Sequence, residues 1–407
     1  MTDQHRTAVP PIEIDAAGGP SPLGLPPAQF LRDYWQKRPL LIRNAFPGYA
    51  SPLEPEDLAG LACEDGALAR LVRHDPATDA WSVRHGPFAE EEFPALPDHD
   101  WTLLVQDMDK WDADLRALLD RFDFLPRWRI DDIMVSFAAT GGSVGAHVDQ
   151  YDVFLLQARG HRRWQVDAGP SPPLEFRNDV ELKLLREFHP THDWVLGPGD
   201  MLYLPPGVPH HGVAVDPCLT FSVGMRAPSA AELLGDFVDT LAADAPESLR
   251  YADPGLAPAA DPFEIDAAAM ARVVEALNAL RMRDPDRLGD WFGSFITTYR
   301  NAIEPAPDDA ARPRIEVEWD LAHGGRLLRH PWSRMAWRRA GRQARLYAGG
   351  SCHPMPARDA RRLAAADAVD GRLYDALGQP GRDAVFALLE AGHYRLQAQD
   401  DGSEDEG

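Results

Sequence analysis

The feature that most constrains the fold is a series of short apolar segments between about residues 100 and 226. Glycine, proline or polar turns end each segment, and in order the segments are WTLLVQD, DDIMVSFAA, DVFLLQ, RRWQVD, GDMLYLPPG and LTFSVGMR. Strands of this length, separated by turn residues, are typical of an antiparallel β-sandwich or barrel. Ahead of the series, Pro27 begins a predicted helix and residues 40–42 form a predicted buried strand.

The pattern changes after Pro228. Two amphipathic helices are predicted in AAELLGDFVDTLAAD and AAAMARVVEALNALRMR, and the C-terminal part of the chain mixes short helices and strands. We therefore predict an α+β chain in five parts: a flexible N-terminal segment (1–26), a β-domain (27–227), a helical segment (228–304), a winged-helix-like domain (305–398) and an acidic disordered tail (399–407).

The charge of the chain bears on its partners. The formal net charge is −23, which argues against a general polyanion binder and is compatible with a basic partner. Direct nucleic-acid binding is therefore not expected, and the arginine-rich stretch 326–345 is interpreted as a solvated face, with an RNA or protein-docking patch as the alternative. No apolar run is long enough to span a membrane. The three scattered cysteines fit a reducing cytoplasm.

His147 and Asp149 form an H-x-D pair just ahead of one apolar segment. In a strand, residues two apart point the same way, so both side chains could bind one metal ion. A non-haem Fe(II) oxygenase uses two histidines and one carboxylate and leaves coordination positions open. The third ligand is expected in the doublet His210–His211, which follows a proline-fixed bend in PPGVPHHG. Adjacent strand residues face opposite sides, so only one of the two can be the ligand, and the pattern does not choose between them.

An arginine on the next strand is a candidate anion site. In HRRWQV, Arg162 shares a strand face with Trp164 and Val166, while Arg163 points the other way. If Trp164 and Val166 face the interior, Arg162 is buried, and a buried arginine needs an anion to pair with. The far carboxylate of 2-oxoglutarate is such an anion, and a guanidinium can pair with it through two hydrogen bonds. A different register would turn Arg163 inward instead.

Four segments carry a resemblance to a known family. The stretches HVDQYDVFLLQARGHRRW, PGDMLYLPPGVPHHG, FLRDYWQKRPLLIRNAF and RIDDIMVSFAATGGSVGAH resemble the JmjC ribosomal oxygenases, most closely the bacterial arginine hydroxylases of the large ribosomal subunit. The resemblance covers about residues 25 to 226. It implies a double-stranded β-helix of the jelly-roll or cupin-like type, followed by an α-helical dimerisation segment and a C-terminal winged-helix domain. It also implies Fe(II) as the metal, with 2-oxoglutarate and O2 as co-substrates.

The resemblance further implies roles for individual residues. It puts the iron on His147, Asp149 and His210, and the far carboxylate of 2-oxoglutarate on Arg162. The residues implied to line the pocket for the target side chain are Asp132, Met134, Tyr151 and Ser222. A carboxylate beside an aromatic wall suits a guanidinium. Asp131 replaces Asp132 if the strand register slips by one residue.

The implied function is hydroxylation of an arginine β-carbon in a basic ribosomal protein, large-subunit protein sixteen, by a cytoplasmic homodimer. Two alternatives share part of this pattern. A histidine-directed ribosomal oxygenase or an N-methyl-lysine demethylase would have the same metal centre and a different target pocket. A non-catalytic cupin-like regulator would not need Arg162 to face the metal.

Overall fold

The computed structural model describes residues 10–398 except 18, 20, 244, 255, 257, 259–262, 264, 280–284 and 308–311. The chain divides into two compact units between residues 227 and 228. This division falls where the sequence pattern changes. The predicted acidic tail, 399–407, lies outside the described residues.

The first unit is built mainly of strands. Its strands are β1 (Glu13–Asp15), β2 (Leu40–Arg43), β3 (Ala69–Asp75), β4 (Ala80–His85), β5 (Trp101–Val105), β6 (Ile130–Ala138), β7 (Val153–Arg159), β8 (Arg162–Val166), β9 (His192–Leu196), β10 (Met201–Leu204), β11 (His210–Ala214) and β12 (Cys218–Met225). Its α-helices are α1 (Pro27–Asp33), α2 (Pro55–Leu61), α3 (Met108–Trp111) and α4 (Ala113–Leu118). Short 3₁₀ helices span Glu90–Ala95, Leu119–Phe122 and Arg127–Arg129.

These strands form two sheets. The larger sheet has the order β1-β2-β10-β7-β12-β6-β5-β3-β4, and the smaller has the order β11-β8-β9. Leu155 of β7 and Trp164 of β8 belong to one buried apolar cluster between the two sheets. Phe154 and Leu156 face the other way, into the main core with Phe30 of α1. The predicted antiparallel β-sandwich is confirmed, and the interior strand β7 is buried on both faces.

Part of the N-terminal segment belongs to the larger sheet. β1 pairs in parallel with β2, with Glu13 opposite Leu41, and the Leu41 amide donates to the Ile12 carbonyl over 2.8 Å. Leu23 is buried in the main core. The prediction of a flexible segment over 1–26 is therefore wrong for these described residues. β1 is an edge strand of only three residues. Backbone hydrogen bonds hold it in the sheet whatever its side chains are, so its sequence shows little apolar pattern.

The second unit mixes helices and strands. Its helices are α5 (Ala230–Ala243), α6 (Ala267–Ala279), α7 (Pro285–Thr298), α8 (Arg314–Ala322), α9 (Ala357–Ala365), α10 (Gly371–Asp375) and α11 (Gln379–Glu390). Its strands are β13 (Arg326–Arg329), β14 (Met335–Ala340), β15 (Gln343–Ala348), β16 (Ser351–Met355), β17 (Ala368–Asp370) and β18 (Tyr394–Gln397). They form two three-stranded sheets, β17-β13-β18 and β14-β15-β16. Leu327, Leu346 and Leu388 lie in the single core of this unit.

The predicted helical segment has two kinds of helix. Within the part of the chain that the structure describes, α5 and α6 bury no side chain. In contrast, α7 buries Phe295 and Ile296 and lies against β14 and β15. No helix among the described residues is both long enough and apolar enough to cross a membrane.

Several arginines of the 326–345 stretch have structural partners. Arg338 donates to Asp286 Oδ1 over 3.0 Å and to Asp290 Oδ1 over 2.8 Å, and Arg345 also pairs with Asp290. Arg329 donates to the Leu363 carbonyl at the end of α9 over 2.8 Å. These bonds join the strands to α7 and α9. Part of the stretch therefore serves the packing of its own domain.

Candidate active site

His147 and His210 are held opposite each other by their own backbones. Each amide donates to the other residue's carbonyl over 3.0 Å, and the ring centroids are 4.2 Å apart. Each Nδ1 lies 2.9 Å from a carbonyl two residues earlier, that of Gly145 for His147 and that of Val208 for His210. An Nδ1–H bond of this kind fixes the ring and leaves the Nε2 lone pair free for a metal.

Asp149 completes a group of three ligand atoms. Its Oδ2 lies 3.7 Å from His210 Nε2, and one ligand atom from each of His147, Asp149 and His210 lies within 4.8 Å of the others. Two histidines and one carboxylate are the donor set of non-haem Fe(II) oxygenases. The prediction that His147 and Asp149 lie in a regular strand is wrong. Their segment is held by a single β-bridge to His210 and by the Gly207 amide, which donates to the Asp149 carbonyl over 2.8 Å.

The two histidines of the doublet point in different directions. His211 Nε2 lies 3.1 Å from the Ser143 hydroxyl, and its ring meets Phe188 edge-on at 6.2 Å. His210 instead is buried and belongs to the cluster His147, Asp149 and His210, called the metal group below. Burial, and then the neighbouring His147, lower the pKa of His210 to about 4. Its ring is therefore neutral near neutral pH and can bind a metal without first losing a proton.

Arg162 is buried beside the metal group. It is 2% exposed, and its guanidinium donates to Ser136 Oγ over 3.5 Å and to the Gly212 carbonyl over 3.3 Å. Burial lowers the pKa of this guanidinium, and within the described parts of the chain no carboxylate pairs with it. A buried cation without a counter-charge is costly, which fits a site that receives an anion.

The neighbours of Arg162 are arranged around its side chain. The guanidinium carbon lies 5.0 Å from the centre of the Trp164 ring. A Cβ at Gly212 would lie 2.7 Å from Arg162 Nε and from two Trp164 ring atoms, so only glycine fits there. Arg163, on the opposite face of β8, bonds to Asp193 over 2.8 Å. Arg162 is thus the arginine that faces the interior.

A cavity of about 450 Å³ joins the metal group to the predicted target pocket. The predicted site residues in its lining are His147, Asp149, His210, Arg162, Asp132, Met134, Tyr151 and Ser222. Lining residues that the sequence reasoning missed are Arg70, Gln106, Glu181, Lys183 and Gly224. Arg70 lies on β3, while Glu181 and Lys183 lie in the long β8–β9 connection. Neither element carries a spacing that would have marked these side chains.

The two adjacent aspartates of β6 have different surroundings. Asp131 accepts a hydrogen bond over 3.1 Å from Nε of Arg226, an arginine that is 2% exposed. Asp132 instead lines the cavity, and its Oδ2 accepts a hydrogen bond over 3.0 Å from the Asp107 amide. Burial, followed by the nearby Asp107 and Asp131 carboxylates, raises the pKa of Asp132 to about 7. Asp132 is therefore the carboxylate of the pair that faces the cavity.

The other predicted pocket residues surround Asp132. Ser222 of β12 is directly opposite Met134 of β6, so the two side chains share one face of the sheet. Tyr151 lies in the bend before β7 and is 38% exposed. His147, Asp149 and Tyr151 do not alternate along a regular strand, because the chain bends here. The bend nevertheless turns Tyr151 into the same cavity.

The sandwich and its donor set define the class of protein. A two-sheet β-fold that holds two histidines and one carboxylate beside a buried arginine is the arrangement of a JmjC oxygenase domain, and the JmjC domain model matches residues 117–233. A ROXA-like winged-helix model matches residues 279–395.

The relatives identify the family. The chain is 38% identical over 303 residues to the ribosomal protein uL16 3-hydroxylase of Escherichia coli K12, covering 74% of this chain and 79% of that protein. It is 44% identical over 214 residues to the Probable ribosomal oxygenase of Haemophilus influenzae, covering 52% of each. The structure of YcfD, a ribosomal oxygenase from Escherichia coli, in complex with cobalt and 2-oxoglutarate superposes with a TM-score of 0.79 and 35% identity, over 92% of this chain and 99% of that one. The chain belongs to the ribosomal oxygenase family.

Proposed function

We propose that this protein is an Fe(II)- and 2-oxoglutarate-dependent hydroxylase of an arginine in ribosomal protein uL16. The observation that carries the proposal is one cavity that holds the buried Arg162, which has no carboxylate partner among the described residues, and the Asp132 carboxylate. The first suits the carboxylate of 2-oxoglutarate, and the second suits the guanidinium of a target arginine. The relative named as a uL16 3-hydroxylase supports this substrate and the β-carbon as the position of hydroxylation.

The proposed metal ligands are His147, Asp149 and His210. With 2-oxoglutarate and O2, a bound Fe(II) supplies the oxidising chemistry that amino-acid side chains lack. The chain contributes ligand geometry. The two Nδ1–carbonyl bonds hold both imidazoles so that they present Nε2, and the low pKa of His210 keeps that nitrogen unprotonated. The donor set therefore fits the metal, with three protein ligands and open positions.

The proposed anchor for 2-oxoglutarate is Arg162. Its contacts to Ser136 and Gly212 are both to neutral oxygens, so its charge is available to a carboxylate. The Trp164 ring lies beside the guanidinium and 5.9 Å from the His210 ring. An anion that pairs with Arg162 would therefore lie next to the metal group.

The proposed target pocket consists of Asp132, Met134, Tyr151 and Ser222. Asp132 supplies the negative charge, and Tyr151 supplies an aromatic surface on which a flat cation can lie. Met134 gives an apolar wall for the methylene stem of an arginine. Binding energy that fixes the position of the target carbon lowers the entropic part of the reaction barrier.

The alternative functions are less well supported. The charge of Asp132 suits a cationic target, either an arginine or an N-methyl-lysine, better than the side chain of a histidine. Between the two cationic targets, the relative named as a 3-hydroxylase favours hydroxylation over demethylation. A non-catalytic regulator would have no reason to bury Arg162 without a carboxylate partner, because such burial costs stability and gives no binding in return.

We further propose that the protein is a homodimer through its helical segment. Leu234 and Val238 on α5, and Met270, Val274 and Leu277 on α6, are all at least 49% exposed and lie at helical spacing. An apolar stripe of this kind is expected to be covered by a partner. The domain bounds 27–227, 228–304 and 305–398, a cytoplasmic location and catalysis without direct contact to nucleic acid remain part of this proposal.

The test of the proposed function is a turnover assay with the purified full-length protein, Fe(II), 2-oxoglutarate and a uL16 fragment. We expect succinate and the addition of one oxygen atom to an arginine of the fragment, located by tandem mass spectrometry. The His147→Ala variant and a fragment with lysine at the target position are the controls. Oxygen added to a histidine, or loss of a methyl group from an N-methyl-lysine placed at the target position, would support the alternatives instead.

A further inference from the structure

A register irregularity in the sheet lies at the floor of the target pocket. Val223 of β12 is opposite Ile133 of β6, but Met225 is opposite Ile130. Two residues of β6, Asp131 and Asp132, therefore face one residue of β12, Gly224. This is the geometry of a β-bulge, which bends a strand and re-aims its side chains and often lies next to an active site.

The two consecutive acids of the bulge have different partners. Here Asp131 is bound by the buried Arg226, and Asp132 lies in the cavity lining with Gly224 as its neighbour on β12.

Gly224 is a glycine for reasons of space. Its backbone does not have the positive φ that favours glycine, so an L-residue could adopt the same conformation. A Cβ at this position would lie 3.2 Å from Asp132 Oδ1 and 3.9 Å from Tyr151 Cε2. A glycine inside a strand weakens it and marks a site where a ligand or another chain approaches closely. The space that glycine leaves open here is the gap between the carboxylate and the ring.

The carboxylate oxygen at this gap is available. Asp132 Oδ2 accepts the Asp107 amide, whereas no hydrogen bond to Oδ1 is made by any residue in the described ranges. The hydrogen bond to Oδ2 fixes the carboxylate so that Oδ1 is the atom nearest to Gly224. A planar group that entered the gap would meet an acceptor on one side and the Tyr151 ring on the other.

We propose that Gly224 is a specificity-determining residue, which keeps open a slot between Asp132 and Tyr151 for the planar guanidinium of the target arginine. This inference rests on the proposed function. A guanidinium needs width for its two terminal nitrogens, whereas a lysine ammonium is compact and sits on a slender stem. A methyl group at residue 224 removes that width. It therefore disfavours arginine more than lysine and does not touch the metal group or Arg162.

The test compares wild type, Gly224→Ala and Gly224→Ser with two uL16 fragments that differ only in arginine or lysine at the target position. We expect Gly224→Ala to lower kcat/KM for the arginine fragment by about tenfold or more, the effect of one added methyl in a fitted pocket. The ratio of arginine to lysine turnover should fall in the same variant. The dissociation constant of 2-oxoglutarate should stay at the wild-type value.

A matched control is Gly60→Ala on α2, where an added Cβ meets nothing within 4 Å. Wild-type kcat/KM and an unchanged arginine-to-lysine ratio in Gly224→Ala would overturn the slot. A loss of 2-oxoglutarate affinity in Gly224→Ala would also contradict the proposed slot, because the substitution would then have disturbed the sheet as a whole. Failure of the proposed function is a separate result, in which the wild type consumes 2-oxoglutarate but oxidises no arginine.

Discussion

The backbone amide of Asp107 donates a hydrogen bond to the Asp132 carboxylate over 3.0 Å, from a residue whose own φ is 57°. A non-glycine residue in this left-handed region costs about 1 kcal/mol or more and persists where the surroundings hold it, often at functional sites. Lys110 contributes to holding it, because its ammonium lies 3.8 Å from Asp107 Oδ1 and donates to the Asp131 carbonyl over 3.2 Å. The orientation of the pocket carboxylate is therefore built into the loop between β5 and α3.

Binding of the arginine fragment should depend on pH through Asp132. The pKa of this carboxyl is raised to about 7, so the empty pocket is mostly neutral below that pH and negatively charged above it. KM for the arginine fragment should fall as the pH rises through about 7 and then level off. Asp132→Asn should raise KM and remove this dependence, measured as KM from pH 6 to 8.5. A profile in Asp132→Asn with the wild-type midpoint would assign the titration to another group.

The same shift predicts an effect on stability. Because the folded-state pKa lies above the ordinary value, the stability that Asp132 contributes is complete below pH 4 or so and is lost as the pH rises through about 7. Asp132→Asn should therefore raise Tm of the substrate-free protein at pH 8 and change it little at pH 4.5. Differential scanning fluorimetry at both pH values measures this difference. An equal rise in Tm at both pH values would show that ionisation of Asp132 is not the cause.

Replacing Arg162 should weaken binding of 2-oxoglutarate without destabilising the fold. Arg162→Met removes a buried charge that has no carboxylate partner in the described structure, so Tm of the ligand-free protein should stay the same or rise. The affinity for 2-oxoglutarate should fall by about 100-fold, the usual loss when one member of a buried charge pair is removed. Calorimetry with Mn(II) in place of iron measures it. Arg163→Met, whose partner is the exposed Asp193, is the control.

The histidine doublet offers a test of the metal ligands. His210→Ala should abolish the visible charge-transfer band formed by Fe(II) and 2-oxoglutarate under anaerobic conditions, because it removes a ligand nitrogen. His211→Ala should retain the band, since its Nε2 bonds to Ser143. The opposite outcome, with the band lost only in His211→Ala, would reverse the assignment.

Gly212 should tolerate no side chain. A Cβ would lie 2.7 Å from Arg162 Nε, and crowding of this kind in a packed interior costs about 1–3 kcal/mol. Gly212→Ala should lower Tm and weaken 2-oxoglutarate binding together, because the arginine must move. Binding at wild-type affinity, measured in the same calorimetric assay, would argue against this packing of Gly212 on Arg162.

The exposed apolar residues of α5 and α6 should form the interface between two copies of the chain. Leu234→Asp with Leu277→Asp places charge at two sites that are 62% and 70% exposed, so each monomer should still fold while the dimer dissociates. Light scattering should give twice the monomer mass for wild type and the monomer mass for the variant. A monomeric wild type would refute the dimer.

The extent to which the sequence predicts this site differs from residue to residue. The β-sandwich follows from short apolar segments and turn residues, which act locally. The H-x-D pair and the proline-fixed histidine doublet indicate a metal site because their spacing is visible along the chain. Arg70, Glu181 and Gly224 leave no such mark. They meet the cavity only through the pairing of distant strands and the course of a long connection.

The sequence by itself therefore determined the kind of fold, a candidate ligand set with one choice open, and two arginines of which one is the proposed anchor. Tertiary structure decided between the members of each adjacent pair. It turned His210 inward through its bridge to His147, placed Arg162 inside by pairing β8 with β11, and kept Asp132 on the cavity face with Met134 by pairing β6 with β12. The physical reason is common to all three choices. Neighbouring strand residues face opposite sides, so a one-residue change of register exchanges them, and register is set by the partner strand.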